Sequence, residues 1–117
     1  MKKLVYSIVL ILIMFLSITN LNAQRGGFTG PGLELVSVQE AKTFRDDTPV
    51  LIQGKILRSL GNEKYLFGDE TDTIIVEIDD DLWKGLYVSE EDLVEIYGEI
   101  EKSIRKTEIE VDRIRKL

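Results

Sequence analysis

From Pro49 onward the apolar residues of this chain repeat with a period of two. Val50, Ile52, Gly54 and Ile56 share one face, and Leu51, Gln53, Lys55 and Leu57 the other. Ile74, Val76 and Ile78 point one way, while Ile75, Glu77 and Asp79 point the other. Val94, Ile96, Gly98 and Ile100 alternate with Glu95, Tyr97 and Glu99. Alternation with a single apolar face marks strands that cover a core on one side. Two of the inward positions are glycine, Gly54 and Gly98, each in mid-strand. Glycine there weakens a strand unless the strand bends sharply or another backbone comes close. Long strands that coil at an inward glycine are what a small barrel needs at its corners.

The remaining elements fill in around these strands. Ser37-Val38-Gln39-Glu40 reads as a capping box, in which the Ser oxygen and the Glu carboxylate satisfy free N–H groups at a helix start. Val38, Ala41 and Phe44 then form a buried stripe, and the helix is expected to end near Arg45, before Asp46-Asp47 and Pro49. "LGNEK" and "DETD" read as turns. Tyr65 to Phe67 is apolar on both sides, which leaves its inward side open. Asp79 to Gly85 reads as one helical turn with an Asp N-cap and a Gly stop. Ile109 and Val111 alternate, and Ile114 then shifts the phase, as at a bulge or a strand end. The order is helix, three strands, short helix, two strands. That predicts a mainly β chain: a five-stranded OB-fold, a partly open Greek-key barrel, with an N-terminal helix and a short helix between strands 3 and 4.

The N-terminus opens Met1-Lys2-Lys3 and then runs apolar from Leu4 to Ile18. A basic start, a short apolar run and a small residue at Ala23 predict a secretory signal peptide over 1–23, cleaved to leave Gln24 first. The run is shorter than the roughly 20 residues of a spanning helix, so no stable membrane insertion is expected after cleavage. Residues 24–34 begin "QRGGFTGPG" and read as a flexible Gly-rich leader; 35–117 form the barrel domain. The expected location is periplasmic. Lys2 and Lys3 are the only charges of the signal, so the chain after Ala23 is more acidic than the −6 of the whole sequence. There is no Cys, so an exported barrel must hold by its apolar core alone.

Four stretches together resemble one family. They are "GGFTGPG" after the signal, "SVQEAKTFRDDTPVLIQGKI", "KYLFGDETDTIIVEIDDDLWKG" and "TEIEVDRIRKL". In combination these are similar to the bacterial OB-fold (BOF) family of exported stress-tolerance proteins. The resemblance spans about Gly26 to Leu117. It implies an OB-fold with an extra N-terminal helix, a periplasmic location, a role in tolerance of envelope stress, and no enzymatic activity. Gly68 stands where such proteins often carry Arg or Lys, and Asp72 where the turn usually has Gly; if that basic residue helps hold a ligand, the contact is missing here.

Function narrows by exclusion. With no His and no Cys, the chain lacks a thiolate nucleophile, an imidazole base and any Cys/His zinc site. No Gly-rich phosphate loop precedes a helix. Neither catalytic residues, a metal site nor a cofactor is expected. Asp69, Glu70 and Asp72 lie in one turn and Asp79 to Asp81 in another, without the spacing of a calcium loop, and suit turns and caps better. OB-folds that bind single strands use a basic groove with stacking aromatics, which an acidic chain does not offer; no nucleic-acid partner is expected. Lys102, Arg105, Lys106, Arg113, Arg115 and Lys116 make the C-terminal end basic, as a solubilising strand edge would be. The candidate ligand-binding residues are Tyr65, Phe67, Asp69, Glu77, Asp79 and Trp83. The expected partner is a cationic or small envelope molecule. The alternatives are a cell-wall oligosaccharide stacked on Trp83, with Glu77 and Asp79 accepting its hydroxyls, and a protein partner.

Overall fold

The structure is a computed structural model that describes residues 33–117. The expected signal peptide and all but the last two residues of the expected leader lie outside the described residues. After helix α1 (Val38–Ala41) come strands β1 (Pro49–Gly61), β2 (Lys64–Gly68) and β3 (Thr73–Glu77). A 3-10 turn (Asp80–Leu82) follows, then β4 (Val94–Lys102) and β5 (Thr107–Lys116). The strands close a barrel in the order β1-β2-β3-β5-β4. This is the OB-fold of the sequence expectation, with its helix and its short turn in the expected places.

Period-two alternation puts every expected inward residue inside. Val50, Ile52, Val76, Ile78, Val94, Ile96, Ile100 and Ile109 are all buried. Burying such side chains supplies the driving force, about 1.5–3 kcal/mol each. The two inward glycines sit where strands touch. A Cβ on Gly54 would meet the Gly68 carbonyl oxygen and lie 2.8 Å from Phe67 Cζ; one on Gly98 would meet the Glu110 carbonyl oxygen. The β4–β5 register slips between Tyr97 and Gly98, so that Gly98 faces Val111 and Tyr97 faces Arg113. Asp112 is the extra residue, the bulge that the phase shift at Ile114 predicts.

Helix α1 is shorter than expected. It ends at Ala41 rather than near Arg45. The carbonyls of Lys42 and Phe44 accept instead from Lys102 Nζ, at 3.1 and 2.9 Å, so a β4 side chain takes the place of another helical turn. Phe44 still packs against the core, so the expected stripe survives without a regular helix beneath it.

Barrel closure is uneven. β4 and β5 pair over nine residues and β1 and β4 over six. β3 meets β5 in parallel at three positions only: Ile75–Glu108, Val76–Ile109 and Glu77–Glu110. This short seam brings the carboxylates of non-consecutive strands together.

Candidate functional site at the barrel seam

The six candidate residues occupy three places. Phe67 lies in the core with no exposed surface, which removes it from any ligand site. It pairs with Ile56 and Ile74, both inward, so the ambiguous strand β2 resolves with Phe67 inside and Leu66 outside. Asp69 serves the fold. Its Oδ2 accepts from the Val38 N–H at 2.8 Å, and its Oδ1 from the Thr71 N–H at 2.8 Å. Ser37 Oγ accepts from the Glu40 N–H at 3.1 Å, which is half of the expected capping box; the turn after β2 supplies the rest of the cap through Asp69 and Thr71. Desolvation raises the Asp69 pKa, but the hydrogen bonds from Thr71, Val38 and Asp72 outweigh it and hold the carboxyl below its ordinary value.

Tyr65 and Trp83 meet edge to face, with ring centroids 5.5 Å apart at 71°. Tyr65 pairs with Val76, so it belongs to the inward side of β2 and emerges at the barrel's end under Trp83. Both rings are half-buried and pack against the core. They line a groove of about 370 Å³ with Arg58, Glu90 and the exposed Tyr87.

Glu77 and Asp79 lie together in a second groove, of about 270 Å³, with Glu63, Glu110 and Asp112. The fold explains the grouping. Glu77 and Glu110 face each other across the parallel seam. Asp79 caps the 3-10 turn by accepting from the Asp81 N–H. The β1–β2 turn brings Glu63 close enough for its Oε2 to accept from the Asp80 N–H at 2.7 Å. Among the described residues, no Lys or Arg lines this groove. Glu110 registers the imbalance: desolvation, then the charges of Glu101, Glu77, Asp112 and Glu99, push its pKa above the ordinary value. The positions of Glu110 and Asp112 were not legible in the sequence, because only the β3–β5 pairing brings them to Glu77.

Beside the groove, Glu108 is buried and binds two lysines, Lys64 Nζ at 3.0 Å and Lys106 Nζ at 3.2 Å. Desolvation raises its pKa, but the two ammonium donors outweigh this and set it below the ordinary value. Oxygens of Glu77, Glu101 and Glu108 lie within 4.8 Å of one another. The Glu108 carboxylate is already taken by two lysines, so the trio does not offer three free carboxylates to a metal ion.

The outward positions of β2 and β3, the face where OB-folds bind oligonucleotides and oligosaccharides, carry Lys64, Leu66, Thr73, Ile75 and Glu77. None is aromatic, so this face lacks the platform on which bases stack.

Comparison with known proteins agrees with this architecture. The sequence model described as "Bacterial OB fold (BOF) protein" matches residues 15–116. The chain is 42% identical to Protein YgiW of Escherichia coli K12 over 130 aligned positions, covering 100% of this chain and 98% of that one. The solved structure of the E. coli ygiW protein superposes with a TM-score of 0.72 at 42% identity, over 79% of this chain and 99% of that chain. The Calcium-regulated OB-fold protein CarO of Pseudomonas aeruginosa is 34% identical over 88 residues, covering 74% of this chain and 76% of that one. Replication protein A of U. maydis bound to ssDNA shares the fold alone, with a TM-score of 0.55 at 14% identity over 76% of each chain. With its OB-fold barrel and a family match over most of its length, the chain belongs to the bacterial OB-fold (BOF) family.

Proposed function

We propose that this chain is a non-enzymatic binding protein of the periplasm, exported by a cleavable signal, that acts in envelope stress tolerance by holding a small cation-bearing molecule or envelope component. One observation carries the reading. The seam groove gathers Glu63, Glu77, Asp79, Glu110 and Asp112, with no basic residue in its lining among the described residues. A cleft of one charge sign concentrates ligands of the opposite sign and repels polyanions. The aromatic-free β2–β3 face argues in the same direction, against single-stranded nucleic acid.

Calorimetric titration of the mature protein with a polyamine tests this. Binding should be present at low salt and weaken toward 0.15 M, since exposed charges are screened over about 8–10 Å. Combined Glu77→Gln, Asp79→Asn and Glu110→Gln substitution should remove it. Binding that survives the triple variant would refute the assignment of the groove.

A second reading has an observation of its own. The Tyr65–Trp83 pair beside exposed Tyr87 forms an apolar shelf on which a neutral glycan could stack. Binding there would be indifferent to salt and lost with Trp83→Ala.

A further inference from the structure

A third groove, of about 520 Å³, lies on the outer face of β1, β4 and β5. Tyr97 is part of its lining. It pairs with Leu51 of β1 on one side and Arg113 of β5 on the other. The Arg113 guanidinium lies over the Tyr97 ring, 4.8 Å from its centroid. Such stacking fixes a guanidinium plane while leaving its N–H donors free. Lys84 joins the lining at the end of the 3-10 turn, held by a left-handed backbone with φ of 47°. Among the described residues, neither Lys84 nor Arg113 makes a salt bridge, whereas the nearby Arg115 is committed to Glu95 at 2.9 Å. The lining also holds two carboxylates, Glu95, which Arg115 neutralises, and Asp112, on the side shared with the acidic groove; against them Lys84 and Arg113, which make no salt bridge among the described residues, stand over an apolar wall of Leu51, Leu82 and Ile114 and make an anion subsite.

This groove adjoins the acidic one. Leu82 and Asp112 line both. The geometry points to a ligand of mixed charge: a short cationic peptide with a free carboxylate, its ammonium group in the seam groove, its body across Leu82, and its carboxylate on Arg113 and Lys84. This rests on the cation-binding reading of the seam and adds the second charge. The inner side of the 3-10 turn then acts as a saddle, with acid on one flank and base on the other. Planar guanidinium donors suit a carboxylate, which they grip in bidentate fashion.

The test uses Lys-Gly-Gly as the free acid and as its C-terminal amide, titrated against the mature protein. The two probes carry the same ammonium groups and differ in the carboxylate alone. An acidic groove acting by itself prefers the amide, whose net charge is more positive. The proposal requires the opposite order, with the acid bound about tenfold more tightly, as a charged hydrogen bond supports. Arg113→Gln should erase that preference without weakening amide binding; Arg113→Lys should restore part of the preference. Lys84→Gln, at an exposed position, gives the same readout independently should Arg113→Gln disturb the sheet. Equal binding of acid and amide, or tighter binding of the amide, with both lost on Glu77→Gln, overturns the anion subsite and leaves the seam reading standing. Failure of both probes to bind overturns both readings.

Discussion

Replacing Gly98 by alanine adds one carbon to the barrel, and the structure says where it goes. The new Cβ would run into the carbonyl oxygen of Glu110 and lie 3.0 Å from both the Glu110 carbonyl carbon and Ile109 Cγ2. Two of these atoms belong to the β5 backbone. That backbone is tied to β4 by a ladder of nine pairs, so it cannot retreat without stretching hydrogen bonds. Overpacking a tight interior costs about 1–3 kcal/mol, and a strained ladder bond adds about 1. We therefore expect Gly98→Ala to destabilise by about 3 kcal/mol. For a domain of this size each kcal/mol lowers Tm by about 4–8 °C, giving a drop on the order of 12–24 °C. Urea unfolding followed by the fluorescence of Trp83, the single tryptophan, measures it. Ser59→Ala, on the exposed end of β1, serves as a control and should change stability by no more than about 0.5 kcal/mol. A change below about 0.5 kcal/mol at Gly98 as well would refute the close approach of β4 to β5 and the register built on it.

Five further outcomes are expected. Glu108→Gln should cost about 1–3 kcal/mol in urea unfolding, because it leaves Lys64 with a weaker partner beside a buried side chain. Asp69→Ala should cost about 1 kcal/mol, as loss of a helix cap does. The Asp69 and Glu108 carboxyls both have pKa values lowered by folding, so their contribution is present above the unfolded values of 3.8 and 4.5 and is lost as pH falls through the lower folded values; acid unfolding monitored by circular dichroism should show this, and the Asp69→Ala variant should show less of it. Trp83→Ala should lower stability by about 2 kcal/mol, less than for a fully buried Trp since the ring is only half-buried. Fluorescence anisotropy with a single-stranded oligonucleotide should register no binding at about 0.15 M salt, and micromolar binding there would restore the usual OB-fold ligand.

Much of the fold could be read from alternation. The inward sets of β1, β3 and β4, both close-approach glycines and the bulge before Ile114 follow from local patterns that each strand carries by itself. Strand β2 did not yield in the same way, because Tyr65, Leu66 and Phe67 are apolar on both sides and only the pairing of Phe67 with Ile56 and Ile74 fixes the face. The length of α1 was not legible for a related reason. Lys102, some sixty residues downstream, takes the carbonyls that a longer helix would have used. The site was less legible than the fold. Glu77 and Asp79 stood out as acidic, but their partners Glu110 and Asp112 arrive from β5 by a parallel pairing that no local signal announces. Asp69 resembled its acidic neighbours in composition and proved to be a cap, which only the position of α1 over the turn explains.

The three-pair seam between β3 and β5 has a mechanical consequence. It is the thinnest joint in a chain with no cysteine to clamp it, and its two lips carry charges of the same sign, Glu77 on one and Glu110 on the other. Those two carboxylates repel each other, while the Lys64–Glu108 ion pair, which reaches from β2 to β5 across the same seam, opposes that repulsion. A cation bound between the two carboxylates, as proposed for this groove, would reverse the sign of that force and latch the seam shut. Occupancy would then be written into opening rates: amide hydrogens of residues 75–77 and 108–110 would exchange more slowly with ligand bound, while those of the long β4–β5 ladder would hardly notice.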